Sequence, residues 1–202
     1  MIRIAVLASG RGSNLEALFE SLSGRADAAI VLVASDRADA LALGRARMRG
    51  VATAVLAPDD EAGMIDLLDE SRVDWIVLAG YLKRVPSEVV RRYRSRILNI
   101  HPALLPRHGG KGMYGERVHR AVLEAGESRS GASVHLVDEE YDRGPVVAQR
   151  EVPVLPDDTP ASLAARVLEV EHRLLPEVVV AVAEGRLRVE GDRAWIEEPV
   201  NR

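Results

Sequence analysis

No cysteine occurs in the 202 residues, which removes disulfides, thiolate zinc sites and a cysteine nucleophile together. No apolar run reaches the length of a bilayer span. The opening stretch Met1-Ile2-Arg3-Ile4-Ala5-Val6-Leu7 passes directly into a glycine turn, so it reads as a strand and not as a signal peptide. The five histidines, His101, His108, His119, His135 and His172, include no HExxH or other short paired spacing, and no metal site is expected. The net charge of −4 is mild and of mixed sign. The run Arg91-Arg92-Tyr93-Arg94-Ser95-Arg96 reads as a solvated helix end, and nucleic acid is not the expected partner. Internal repeats and low-complexity linkers are missing too. What is present is a globular balance, 47% hydrophobic and 29% charged, with length for one substantial core and not for two ordinary domains plus a linker. The expectation is one domain over residues 1–202, cytoplasmic, without a membrane partner.

Hydrophobic periodicity organises the chain. Apolar runs at Ile2 to Ala8, Ala28 to Ala34, Val51 to Leu56, Trp75 to Ala79 and Ile97 to Ile100 read as strands. Between them, helical spacing begins at Leu15 and covers Ala40 to Arg49 and Asp59 to Glu70. Strands apolar on both faces that alternate with helices imply an α/β fold, a Rossmann-like and mostly parallel sheet with helices on both faces. A glycine-rich loop, Arg107 to Gly115, then interrupts the pattern and reads as mobile. A helix from Glu116 to Ala125, strands at Ala132 to Val137 and Val146 to Val154, and a long helix from an N-cap at Thr159 to about Glu184 follow, with Pro176 expected to kink or interrupt that helix. Leu187 to Glu190 and Ala194 to Ile196 read as a terminal hairpin.

Two places carry chemistry. Asn99 and His101 sit at the end of a buried strand, two residues apart and so on one face of an extended backbone. An amide donor beside an imidazole suits an oxyanion, and a carboxylate such as Asp142 would hold that imidazole protonated, a combination pointing to acyl transfer. The second place is Ser9-Gly10-Arg11-Gly12-Ser13-Asn14, a glycine turn opening a helix, where unpaired amides and the macrodipole favour a phosphate. The turn lacks the third glycine of a dinucleotide fingerprint, since Leu15 stands there, but Asp36 at the second strand end is the acid that a dinucleotide reading would place on a ribose. In an open parallel sheet both places belong to the carboxyl edge, where a phosphorylated substrate could be anchored and react.

The segments SGRGSN, Leu78 to Val85 (LAGYLKRV), ILNIHPALLP, Gly131 to His135 and Asp142-Arg143-Gly144-Pro145, in this order, closely resemble the phosphoribosylglycinamide formyltransferase family, from Met1 to about Trp195. The resemblance implies the formyltransferase fold and 10-formyltetrahydrofolate as cosubstrate, with no metal. It implies Asn99, His101 and Asp142 as catalytic residues, and Gly12, Ser13, Asn14 and Glu171 on the ribonucleotide. Leu82, Lys83, Arg84 and Val85, with Asn99 and the loop Asp138, Glu139, Glu140, Tyr141 and Asp142, match folate-binding positions. The implied partners are small molecules, the protein being a monomer or a homodimer. Leu168 stands where a polar residue is expected. No arginine between Leu56 and Leu67 can take the family's folate contact, and the loop His108 to Gly115 is longer than in the better-known bacterial members, resembling a second subgroup. The alternatives are a methionyl-tRNA formyltransferase, against which the acidic balance and the end at Arg202 count, a formyltetrahydrofolate deformylase, and a non-catalytic nucleotide-binding module.

Overall fold

Residues 1–57 and 60–198 are described by a computed structural model, in which the chain packs as two units, Met1–Asn99 and Ile100–Arg202. The first unit runs β1 (Ile2–Leu7), α1 (Ser13–Leu22), β2 (Ala28–Ser35), α2 (Leu41–Met48), β3 (Ala52–Val55), α3 (Glu61–Glu70), β4 (Trp75–Leu78), α4 (Ser87–Arg92) and the start of β5 (Ile97–His101). Its strands lie in the order β3-β2-β1-β4-β5, and each neighbouring pair is parallel. Parallel neighbours need crossovers, which the helices supply. Central β1 is sealed from Ile4 to Leu7, which is why its sequence is an unbroken apolar run, whereas β3 at the edge is half exposed. Leu15 and Leu18 of α1, Leu43 of α2 and Leu68 of α3 are buried with Leu32 and Ile76 of the sheet.

Asp59, the expected start of α3, lies outside the described residues. The helix begins at Glu61, capped by Asp60, whose carboxylate accepts the Gly63 N–H at 2.8 Å.

The second unit carries α5 (Glu116–Glu124), β6 (Arg129–Leu136), β7 (Val146–Pro153), α6 (Pro160–Ala183), β8 (Leu187–Glu190) and β9 (Arg193–Ile196). β6 and β7 are antiparallel, in register from Arg129↔Pro153 to His135↔Val146 with an irregularity at Val134/His135. β6 starts before Ala132 because ladder pairing, and not side-chain hydrophobicity, extends it through Arg129, Ser130 and Gly131. α6 opens with the expected cap: the Thr159 hydroxyl accepts the Ser162 N–H at 3.1 Å, and the Ser162 hydroxyl accepts the Thr159 N–H at 3.0 Å. The helix continues through Pro176 as 24 residues. Proline removes one hydrogen bond and crowds one carbonyl, but Val167, Leu174, Leu175, Val178 and Val179 bury a continuous face where α6 packs on β6, β7 and α5. The Val178 to Val182 run is therefore core and not an exposed patch. β8 and β9 form the terminal hairpin.

Candidate active site

In β5 the Asn99 side chain is half-buried and His101 is 3% exposed. Beyond His101 the segment Pro102 to Pro106 is pinned to β6 and β7 by one hydroxyl. Ser133 Oγ donates to the Ala103 carbonyl at 2.6 Å and accepts the Leu105 N–H at 3.0 Å and the Gln149 Nε2–H at 2.7 Å. The turn after β6 brings Asp142 to the same place. A side chain on Gly144 would overlap the Leu136 carbonyl, so only glycine lets the turn close. Asp142 itself adopts φ 55°, a left-handed conformation that aspartate tolerates better than most residues. Its Oδ2 lies 3.6 Å from His101 Nδ1 and its Oδ1 3.5 Å from His135 Nε2. The Gly110 N–H donates to Oδ2 at 2.8 Å.

Each imidazole spends its far nitrogen on a backbone carbonyl. His101 Nε2–H donates to the His108 carbonyl at 2.8 Å, and His135 Nδ1–H to the Leu136 carbonyl at 2.8 Å. A carbonyl only accepts, so those nitrogens carry the hydrogens. In the neutral rings His101 Nδ1 and His135 Nε2 are then lone pairs aimed at the two carboxylate oxygens.

Burial lowers the His101 pKa and outweighs the Asp142 charge and the His108 carbonyl, which raise it. The expectation that Asp142 would hold His101 protonated is corrected accordingly: the pair is separated by 3.6 Å, too long for a hydrogen bond, and desolvation dominates. For Asp142, burial is the largest influence and raises its pKa, but His135 and His101 in their protonated forms and the Gly110 N–H together bring it below the ordinary carboxylate value. His119 on α5 is a further buried imidazole, its pKa lowered by burial and then by His101.

In the first unit, Gly12 stands at the α1 N-cap with φ 74°. A Cβ there would meet Ala42 Cα and Cβ at 2.9 Å, so the left-handed turn and the close approach of α2 both require glycine. The α1 terminus has no side-chain cap, which leaves its amides for an anion, with Ser13 half-buried and Asn14 buried beside them. Arg45 braces the loop, donating to the Arg11 carbonyl at 2.9 Å and to Glu16 at 3.0 Å. Asp36 accepts the Ser9 hydroxyl at 2.5 Å, so the acid of the dinucleotide reading is engaged with the loop itself. Leu82, Lys83 and Arg84 are exposed on irregular backbone anchored by buried Val85.

In the second unit, Asp138, Glu139, Glu140 and Tyr141 form an exposed loop, turned by the Glu140 N–H donating to the Asp138 carboxylate at 2.9 Å. Glu171 is buried on α6. From sequence alone His135 is assigned no role in the site. It reaches Asp142 directly, and its two-residue offset from Ser133 on β6 was the available signal. The contributions of the Gly110 N–H and the His108 carbonyl are backbone groups with no sequence signature. Among the described residues no group of three or more histidines and carboxylates could hold a metal ion, and no helix is long and apolar enough to cross a membrane.

Residues 2–179 match the family described as formyl transferase. The chloroplastic phosphoribosylglycinamide formyltransferase of Arabidopsis thaliana is 44% identical over 195 residues, covering 92% of this chain and 67% of the plant protein. The phosphoribosylglycinamide formyltransferase of Haemophilus influenzae is 39% identical over 207 residues, covering 98% of this chain and 94% of its own length. Among solved structures, glycinamide ribonucleotide transformylase 1 from Symbiobacterium toebii superposes with a TM-score of 0.91 at 41% identity, covering 98% of this chain and 95% of that one. On its sequence, its α/β fold and the order of its motifs, the chain belongs to the formyl transferases, in the phosphoribosylglycinamide formyltransferase family.

Proposed function

We propose that the protein transfers the formyl group of 10-formyltetrahydrofolate to the amine of glycinamide ribonucleotide, giving formylglycinamide ribonucleotide and tetrahydrofolate in de novo purine biosynthesis. The observation that carries this reading is Asp142, held by the Gly110 N–H with one oxygen 3.6 Å from His101 and the other 3.5 Å from His135. That cluster can take up and return one proton, which is what transfer between two nitrogens requires.

The amine attacks the formyl carbon and forms a tetrahedral intermediate. Its oxyanion is stabilised by the Asn99 amide and by His101 Nε2–H, a donor that the neutral ring already carries. The His108 carbonyl holds that N–H in this structure and yields it to the formyl oxygen. The proton lost by the amine passes, through a water, to Asp142 and its paired imidazoles. It then returns to N10 of the folate as the carbon–nitrogen bond to N10 breaks. Gly12, Ser13 and Asn14 bind the ribonucleotide phosphate and Glu171 the ribose. Leu82 to Val85, Asn99 and Asp138 to Asp142 bind the folate.

On this reading the partners are small molecules, with no nucleic acid and no membrane, and the protein works in the cytoplasm as a monomer or a homodimer. Residues 1–202 form one formyltransferase domain, a view supported by the family match from residue 2 to 179 and by structural likeness over 98% of the chain. A spectrophotometric assay of tetrahydrofolate release with glycinamide ribonucleotide, with water alone and with charged initiator tRNA tests the assignment. Turnover is expected only with the ribonucleotide. Turnover with water alone would make the protein a deformylase, and turnover with the tRNA would move the acceptor to an aminoacyl group.

A further inference from the structure

Ser9 lies between two segments that the proposed function uses for different substrates. It is 3% exposed, at the point where β1 gives way to the glycine loop, and its N–H donates to the Gly80 carbonyl at 3.0 Å. Its hydroxyl accepts the Leu82 N–H at 2.9 Å and donates to Asp36 Oδ1 at 2.5 Å. A hydroxyl has one hydrogen to give and lone pairs to receive with, so the direction is settled: Leu82 N–H to Ser9 Oγ–H to Asp36. Tyr81, next to Leu82, feels the same carboxylate. Burial first and the Asp36 charge second push its phenol up to about 12. One side chain thus joins the ends of β1, β2 and β4, tying the loop that opens α1 to the first residue of the 82–85 segment.

We propose that Ser9, oriented by Asp36, is a positioning residue that holds the ribonucleotide loop and the folate segment in fixed relation, so that both substrates meet pre-ordered backbone. This rests on the roles given above to Gly12, Ser13, Asn14 and Leu82 to Val85. The 82–85 stretch has no regular secondary structure and three exposed residues. Without the Ser9 tether, ligand binding itself must order it, and ordering weakens affinity. Ser9 touches neither substrate, and its effect is read through the backbone of its neighbours.

Calorimetric binding of glycinamide ribonucleotide and of tetrahydrofolate, each measured alone well below the unfolding temperature of every variant, tests the idea. Ser9→Ala is expected to raise both dissociation constants about three- to tenfold, the range for loss of one hydrogen bond. Asp36→Ala, which breaks the same relay at its other end, shifts both in the same direction. Ser9→Thr keeps the hydroxyl and retains affinity within about twofold of wild type. A residue that only stabilised the fold would lower the unfolding temperature in Ser9→Ala and leave both constants in place. An unchanged constant for either ligand in Ser9→Ala, or a Ser9→Thr protein as weak as Ser9→Ala, overturns the proposal while wild-type binding of both ligands stands. Failure of the wild type to bind them overturns the functional reading and this inference with it.

Discussion

At the scale of single residues, the proposed chemistry concentrates on one carboxylate that faces two imidazoles. Asp142→Asn keeps the size of the side chain and removes its charge, so turnover should fall by about 10²- to 10⁴-fold with the fold intact. Near-native turnover would remove Asp142 from the mechanism. The same substitution tests the electrostatics without turnover. His101 already has a lowered pKa because burial outweighs the Asp142 charge. Taking that charge away should lower it further, and an NMR titration of the His101 ring should show its midpoint moving to lower pH. A midpoint that rises or stays in place contradicts the account. Residue type, spacing and resemblance singled out Asn99, His101 and Asp142, and the structure places His101 Nδ1 3.6 Å from Asp142. The sign of the His101 shift was not legible in the sequence, because it depends on how completely packing removes water from the ring. His135 was not singled out, since a histidine inside an apolar strand usually serves the core, and only the turn at Gly144 reveals what faces it.

At the scale of elements, hydrophobic periodicity located each strand of the first unit to within a residue or so, because the central strands, buried on both faces, leave an uninterrupted apolar record and even half-exposed β3 keeps apolar flanks at Val51 and Leu56. It was less informative for β6, where backbone pairing with β7 recruits Arg129 and Ser130, and for α6, where packing carries the helix past Pro176. Gly12→Ala tests the start of α1. The new methyl meets Ala42 at 2.9 Å on a backbone with φ 74°, and a non-glycine residue in that conformation costs about 1–2 kcal/mol before any clash. Ribonucleotide affinity should drop by about tenfold or more, and by a larger factor than folate affinity. Equal losses for the two ligands in calorimetry would count against the phosphate-loop assignment. At the other long helix, Thr159→Ala removes the reciprocal cap of α6 and should lower stability by about 1 kcal/mol in urea unfolding. Its kinetic constants should stay as in the wild type where the protein is fully folded, since Thr159 has no part in the proposed site.

At the scale of the whole molecule, buried imidazoles give stability a defined pH dependence. His101 and His119 both have folded-state pKa values lowered below 6.5. The unfolded chain therefore binds protons at pH values where the folded chain does not. The stability that these rings contribute is fully present above pH 6.5 and declines as pH falls through 6.5 toward their lower folded values. Asp142, lowered from 3.8, contributes stability that is lost only on further acidification below that value. Scanning calorimetry should thus show a lower unfolding temperature at about pH 5.5 than at about pH 7.5, and His119→Asn should narrow the gap. An unchanged gap would mean that His119 titrates alike in the folded and unfolded chains. Finally, the two tryptophans fall one to each unit, Trp75 at the head of β4 and Trp195 in β9. The protein therefore carries a separate fluorophore in each half. Replacing either indole by phenylalanine leaves an emission that follows the unfolding of the other half alone, and a chain without thiols accepts one introduced cysteine as a single attachment point for an external dye.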